Sequence, residues 1–238
     1  MKVVCLSDTH TMGPRIVVPD GDMLIHAGDH TFRGTADETK KALEWLESLP
    51  HKYKLLVAGN HDFFFDPNAP KSFRNWSLHK PYSTAEMLER HGPSLIYLQD
   101  SGTEIEGLKI YGSPWTKEFG FNNKWAFNFP IIDDGNLARN TWAKIPTDTN
   151  ILITHTPPRG ILDYGYEYQG RLGDNELHDR LFTLPALRLH VFGHIHTAAG
   201  RVDYTTEAGD FQQITFINAA ICTESYDPVN PVQVVDLP

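Results

Sequence analysis

Five polar clusters in this 238-residue chain each stand just past an apolar run rich in β-formers, and that placement limits what the chain can fold into. The clusters are Asp8-Thr9-His10, Gly28-Asp29, Gly59-Asn60-His61-Asp62, the single His155, and Gly193-His194-Ile195-His196. The runs before them are Val3–Leu6, Met23–His26, Lys54–Ala58, Ile151–Thr154 and Leu189–Phe192. Asp8, Asp29, Asn60, His155 and His194 therefore fall one to three residues beyond a strand-like segment. In α/β sheets, ligands bind beyond the carboxyl ends of strands, where side chains from several turns converge. Glycine precedes three of these residues and permits the tight turns such convergence needs. One Gly-Asp or Gly-Asn is only a turn dipeptide. Five clusters in one register point to a site.

Further runs at Leu95–Leu98, Lys109–Tyr111, Phe211–Ile217 and Val232–Val235 read as strands. Helical segments lie between several of them. Thr35-Ala36-Asp37-Glu38 has the form of a capping box, and Leu43, Leu46 and Leu49 mark an apolar face as far as Pro50. Ser83-Thr84-Ala85-Glu86 opens a shorter helix closed by Gly92-Pro93. Asp133–Lys144 and Asp174–Leu184 form two more, stopped by Pro146 and Pro185. The alternation predicts an α/β domain with helices outside its sheets. With neither linker nor low-complexity tract, residues 1–238 are expected to form a single domain.

Composition narrows the classes of function. A formal net charge of −9 disfavours non-specific nucleic-acid binding and attraction to an acidic membrane. No apolar tract is long enough to span a bilayer, and Lys2–Leu6 is too short for a signal-peptide core. Cys5 and Cys222 form no Cys-x-x-Cys pair and are expected as reduced, buried thiols of a cytoplasmic protein.

Carboxylate, amide and imidazole ligands without thiolate suit Mn²⁺, Fe, Zn²⁺ or Mg²⁺, with imidazole favouring the transition metals. The ordered motifs D-x-H, G-D, G-N-H-[DE], H and G-H-x-H resemble those of the calcineurin-like metallophosphoesterase superfamily, from Met1 to about Ala220. Ser7–His10, His155-Thr156-Pro157-Pro158 and Leu189–His196 resemble the small brain-type metallophosphoesterase-domain subfamily, phosphodiesterases related to class III cyclic-nucleotide enzymes. The resemblance implies a four-layer αββα sandwich of two mixed sheets flanked by helices. It also implies two divalent ions, Mn²⁺ foremost, one held by Asp8, His10 and His196 and the other by Asn60, His155 and His194. Asp29 would bridge them at the roughly 3.5–4 Å separation that clamps a phosphoryl group. A metal-bridging hydroxide would then attack a small phosphodiester, a cyclic nucleotide being the favoured kind. His61 would stabilise the transition state and protonate the leaving oxygen, with Asp62 orienting it. Only Asp8 and Asp29 among these ligands are anionic, so two divalent ions leave the site near +2 and attractive to phosphate.

Other residues read less sharply. His26 is expected to support rather than ligate, and His30, just past Asp29, reads either as approaching substrate or as an exposed loop histidine. His51, His79, His91, His178 and His190 match no motif and read as structural or solvent-facing. Phe63-Phe64-Phe65 suits packing better than base stacking, and Trp115 and Trp125 share that ambiguity. Residues 157–173, with Tyr164, Tyr166, Tyr168 and Arg171, suit either a lid or a plain surface loop. Asp174, where the subfamily has Cys, and Thr197-Ala198-Ala199 depart from its pattern. A phosphomonoesterase or protein phosphatase is the nearest rival function, since the same metal clamp serves both. A non-catalytic adaptor that kept the fold is a more distant one.

Overall fold

Each apolar run becomes a strand because β-branched and leucine side chains fill both faces of a sheet covered on both sides. The computed structural model describes residues 1–69, 83–118, 125–130, 135–166, 169–205 and 213–238. In chain order the strands are β1 (Lys2–Leu6), β2 (Met23–His26), β3 (Tyr53–Leu56), β4 (Leu95–Tyr97), β5 (Ser101–Ile105) and β6 (Leu108–Ser113). They continue with β7 (Thr116–Lys117), β8 (Asn128–Phe129), β9 (Ile151–Thr154), β10 (Leu189–Phe192), β11 (Gly200–Thr205), β12 (Gln213–Asn218) and β13 (Gln233–Asp236). One sheet has the order β13-β1-β2-β3-β4, parallel except for β13. The other has the order β11-β12-β10-β9-β6-β5, parallel in its centre with antiparallel edges β11 and β5. β7 and β8 form a separate small ribbon.

Strand periodicity sorts the core into layers. Along β1, Val3 and Cys5 point between the two sheets, where they meet Ile151, Ile153, Leu189 and Val191 of the second sheet. Val4 and Leu6 point the other way, onto Leu43 and Leu46 of helix α1 (Ala36–Ser48). On the far face of the second sheet, Leu152 and Phe192 pack with Trp142 of α3 (Asn136–Trp142) and Leu177 and Leu181 of α4 (Asn175–Leu181), α2 being the short helix Thr84–Leu88. Helix, sheet, sheet, helix is thus the order of layers, the four-layer sandwich the motifs implied. Leu43 is 1 % exposed, and its truncation to Ala would cost about 2–5 kcal/mol.

The helix ends refine the sequence reading. Thr35 caps α1 by accepting from Glu38 N (3.1 Å), but the expected capping box is only half formed, because the Glu38 carboxylate accepts from Arg33 N (2.7 Å) instead. At α2 both halves form, between Ser83 and Glu86. Asp174 caps α4 through Leu177 N (2.7 Å) and also accepts from Trp142 Nε1 (3.0 Å). That second bond ties α3 to α4 and gives the departure at Asp174 a structural role. Of the segments expected from sequence, Asp133 and Phe211 lie outside the described residues, as do His79 and Tyr168. Among the described residues no helix is long and apolar enough to cross a membrane.

Candidate metal centre

The loops after β1 and β2 continue to pair after the strands end. Asp8 N donates to Gly28 O (2.9 Å), His10 N to Asp29 O (3.0 Å) and Thr11 N to His30 O (2.9 Å). Holding these loops together forces left-handed backbone at residues that disfavour it: φ is 52° at Asp8, 42° at His10, 55° at Asp29 and 69° at His194. Such strain persists only where surrounding structure over-determines it, and it gathers at functional sites. Two glycines permit the close approach. A Cβ on Gly59 would collide with the Asp29 carboxylate, and one on Gly193 with the carboxylate of Asp8 and the hydroxyl of Ser7.

Three imidazoles are oriented the same way. His10 Nδ1–H donates to Thr31 O (3.2 Å), His155 Nδ1–H to Ala27 O (2.9 Å) and His196 Nδ1–H to Thr223 O (3.0 Å). A carbonyl can only accept, so Nδ1 is the protonated nitrogen and Nε2 faces inward. His196 Nε2 lies 3.3 Å from Asp8 Oδ1 and 3.2 Å from His10 Nε2. His155 Nε2 lies 3.4 Å from Asp29 Oδ2 and 3.0 Å from Asn60 Oδ1. His10 Nε2 lies 3.9 Å from Asp29 Oδ2. His194 joins through its backbone, N donating to Asp8 Oδ2 (2.9 Å), and its ring centroid is 5.1 Å from that of His155. Three overlapping triplets, Asp8/His10/His196, His10/Asp29/His61 and Asp8/Asp29/His155, each bring their donor atoms within 4.8 Å of one another. Asp8, His10, Asp29, His155 and His196 thus gather with His61 in these triplets, Asn60 reaches them through His155, and His194 adjoins them through its backbone and ring.

The charges are coupled. Burial opposes ionisation of Asp8 and Asp29, but the hydrogen bond and charge of His196 outweigh it at Asp8, and the charges of His155 and His61 do so at Asp29. Both carboxyls lie below the usual carboxylate range. The same carboxylates lift His155 and His196 to about 9 against the effect of burial. Burial dominates at His10 and His194, which fall to about 4 and about 3. Without a cation the centre thus holds protons on His155 and His196, where inward Nε2 atoms meet oxygen and nitrogen acceptors. A divalent ion would displace these protons from the same donors. Two carboxylates, an amide oxygen and imidazoles locked with Nε2 inward make a donor set that fits divalent transition metals.

His61 faces the centre, its ring 4.7 Å from that of His10, but Asp62 does not orient it. His61 Nδ1–H donates instead to Phe32 O (2.7 Å), while the ring packs against Trp125 at 4.6 Å. The Asp62 carboxylate turns away and accepts from Gly59 N (2.8 Å), His30 Nδ1 (3.0 Å), Thr31 N (3.0 Å) and Thr31 Oγ1 (2.7 Å). It brackets the loops after β2 and β3. A short Asp side chain directly following His61 satisfies nearer backbone donors before it could reach an imidazole pointing across the centre. His30 is buried in that bracket rather than aimed at substrate, and His26 is buried beside it, rings 4.3 Å apart.

Among the described residues, His51, His91, His178, His190, Phe63–Phe65 and Trp115 are structural or peripheral. His51 contacts Pro19 O (3.0 Å), His91 pairs with Glu47 (2.7 Å), and buried His190 bonds Thr154 Oγ1 (2.8 Å), while His178 is half-buried beside Asp179. Phe63, Phe64 and Phe65 sit in the core beneath α1. Trp115 donates to Asp100 (2.8 Å) and stacks on Phe129.

Residues 157–166 and 169–173 are pinned to one another by bonds of their own. Asp163 accepts from Gly160 N, Gly173 N and Arg171 Nη1, and Asp174 N donates to Pro157 O. Tyr164 and Tyr166 are more than half exposed, which for these two side chains favours the surface-loop alternative over the lid. Arg159, Gly165, Gln169, Arg171 and Leu172 of this segment line, with Lys117, a cavity of about 570 Å³ that reaches His194.

Comparison with known proteins places this geometry in context. The family model for calcineurin-like phosphoesterases matches residues 1–198. Metallophosphoesterase domain-containing protein 1 of Homo sapiens is 42 % identical over 246 aligned positions, covering 100 % of this chain and 71 % of the relative, and the Mus musculus protein matches equally. Among solved structures, one crystal structure superimposes with a TM-score of 0.61 at 13 % identity over 98 % of both chains. The crystal structure of a Thermus thermophilus protein gives 0.54 at 12 % identity over 99 % of this chain and 98 % of the other. At those identities the likeness concerns the fold alone.

Proposed function

The chain belongs to the calcineurin-like phosphoesterase family, and from that premise we propose that it is a two-metal phosphodiesterase acting on small diesters, cyclic nucleotides among them. Metal-dependent hydrolysis of a phosphoester follows from the family. The finer reading is carried by one observation: three imidazoles, each locked by a backbone carbonyl, turn Nε2 toward two buried carboxylates.

Asp8, His10 and His196 would hold one ion, Asn60, His155 and His194 the other, with Asp29 shared. When bound, such ions lower the pKa of water and neutralise charge on the phosphoryl oxygens. The protein's own contribution is orientation. The Phe32 carbonyl fixes His61 Nδ1–H, so it is the ring carrying a second proton on Nε2 that would stabilise the transition state and give that proton to the leaving oxygen. The Asp62 bracket holds Asn60 and Asp29 at a fixed spacing through Gly59 N, His30 and Thr31. The diester preference is supported by the cavity beside His194, which has room for a second ester arm. We read residues 1–238 as one domain, a reading supported by β13 pairing with β1 at the sheet edge. A reducing, cytoplasmic setting accords with Cys5 and Cys222 being free and buried.

The test is hydrolysis of bis(p-nitrophenyl) phosphate against p-nitrophenyl phosphate by Mn²⁺-loaded protein, with His61→Ala as the control for contaminating phosphatase. Faster diester turnover that His61→Ala removes supports the proposal. A preference for the monoester would move the assignment to a phosphomonoesterase. Full-length, metal-loaded protein that hydrolyses neither would favour an adaptor.

A further inference from the structure

Two aromatic rings at the mouth of the centre belong to none of the three apolar layers. Phe32 follows the bracketed loop after β2 and is 38 % exposed, although its carbonyl is committed to His61. Tyr226 lies beyond the segment that the family model matches. It is held in a left-handed conformation, φ 62°, which a bulky residue adopts at a cost. The loop offsets that cost with its own bonds. Tyr226 N donates to Thr223 O (2.8 Å), Thr223 N to Asp227 O (2.9 Å), and Ser225 N and Asp227 N both reach Thr223 Oγ1 (3.3 Å). The same Thr223 carbonyl accepts from His196 Nδ1–H, so the loop and the metal centre share an anchor.

The ring geometry gives this arrangement a use. The Tyr226 ring stands 4.8 Å from Phe32 at 86° and 4.9 Å from His10 at 88°. Phe32 in turn lies 6.0 Å from His61. Two perpendicular planes therefore form a corner directly beside the proposed proton donor. Resting on the phosphodiesterase reading, we propose that Phe32 and Tyr226 form a subsite that receives a planar π-ring carried on an ester arm of the substrate. A flat ring in that corner stacks on one wall and meets the other edge-on, the two arrangements aromatic pairs favour. Each pairing is worth about two- to tenfold in affinity. An aryl group and a nucleobase share this chemistry, and matched ligands separate them.

The test is calorimetric binding to the Mn²⁺-loaded full chain, which requires no turnover. Phenylphosphonate is compared with methylphosphonate, and uridine 5′-monophosphate with ribose 5-phosphate. The ring-bearing member should bind at least about fourfold tighter in one pair or both, and the pair showing it identifies aryl or nucleobase. Tyr226→Ala and Phe32→Ala should each cut that ratio at least about twofold, whereas Tyr226→Phe, which keeps the ring, should retain it. Tyr226→Leu repeats the measurement should the Ala variant lose metal. Ratios near one in both pairs, absence of binding by all four ligands, or variants that weaken both members of a pair alike would overturn the corner. Ring discrimination in a protein that hydrolyses no diester would sink the phosphodiesterase reading alone. Diester hydrolysis without discrimination would sink the corner alone.

Discussion

The two sheets contribute unlike halves to the centre. Loops after β1, β2 and β3 bring both carboxylates, the amide, His10 and His61, and they are cross-linked by their own backbone bonds and by Asp62. Loops after β9 and β10 bring only imidazoles, and these lean on the first half. His155 donates to Ala27 O, and His194 N donates to Asp8. The carboxylates come from one sheet alone, and His155, His194 and His196 of the other complete the centre where the two sheets abut. The first half is thus a scaffold, and the second depends on it for orientation.

Perturbations should separate the halves. Asp29→Ala, which removes the carboxylate shared by both halves, should lower kcat/KM at least about a thousandfold and deplete bound metal by mass spectrometry. His61→Ala should leave metal content full while kcat falls about a hundredfold or more in steady-state assays. Metal affinity should rise with pH, because His155 and His196, both near 9, must each release a proton on binding. Two protons correspond to about a hundredfold per pH unit below that value, and a flat titration by competition with a chelator would contradict the coupling. Asp62→Ala should cost about 3–5 kcal/mol in urea unfolding of metal-free protein, since it strands several buried donors. His196→Ala, in the dependent half at the rim, should cost less than Asp62→Ala in the same experiment. The smallest effect is expected for Tyr164→Ala, within about 0.5 kcal/mol and twofold in kcat/KM, because that ring faces solvent.

What the sequence made legible follows the same division. The central strands announce themselves as apolar runs, since both faces are buried and need continuous β-branched residues. Edge strands β5 and β11 escape notice because most of their residues are exposed and polar, so neither burial nor alternation marks them. The convergence of Asp8, Asp29, Asn60, His155 and His194 is readable because each follows a strand by a short turn. The partners of Asp62 and His61 are not readable in this way. Adjacency in sequence suggests that one orients the other, whereas the fold supplies Phe32 O and the donors of residues 30 and 31, about thirty residues upstream. Tyr226 is harder still, standing 216 residues from His10 with no motif around it.

Counting ions by native mass spectrometry after Mn²⁺ loading examines the paired-cation account most directly. Two per chain in the unaltered protein, falling in Asp29→Ala and unchanged in His61→Ala, is the expected outcome. A protein that retains no ion at saturating Mn²⁺, or whose count is indifferent to Asp29, would contradict it.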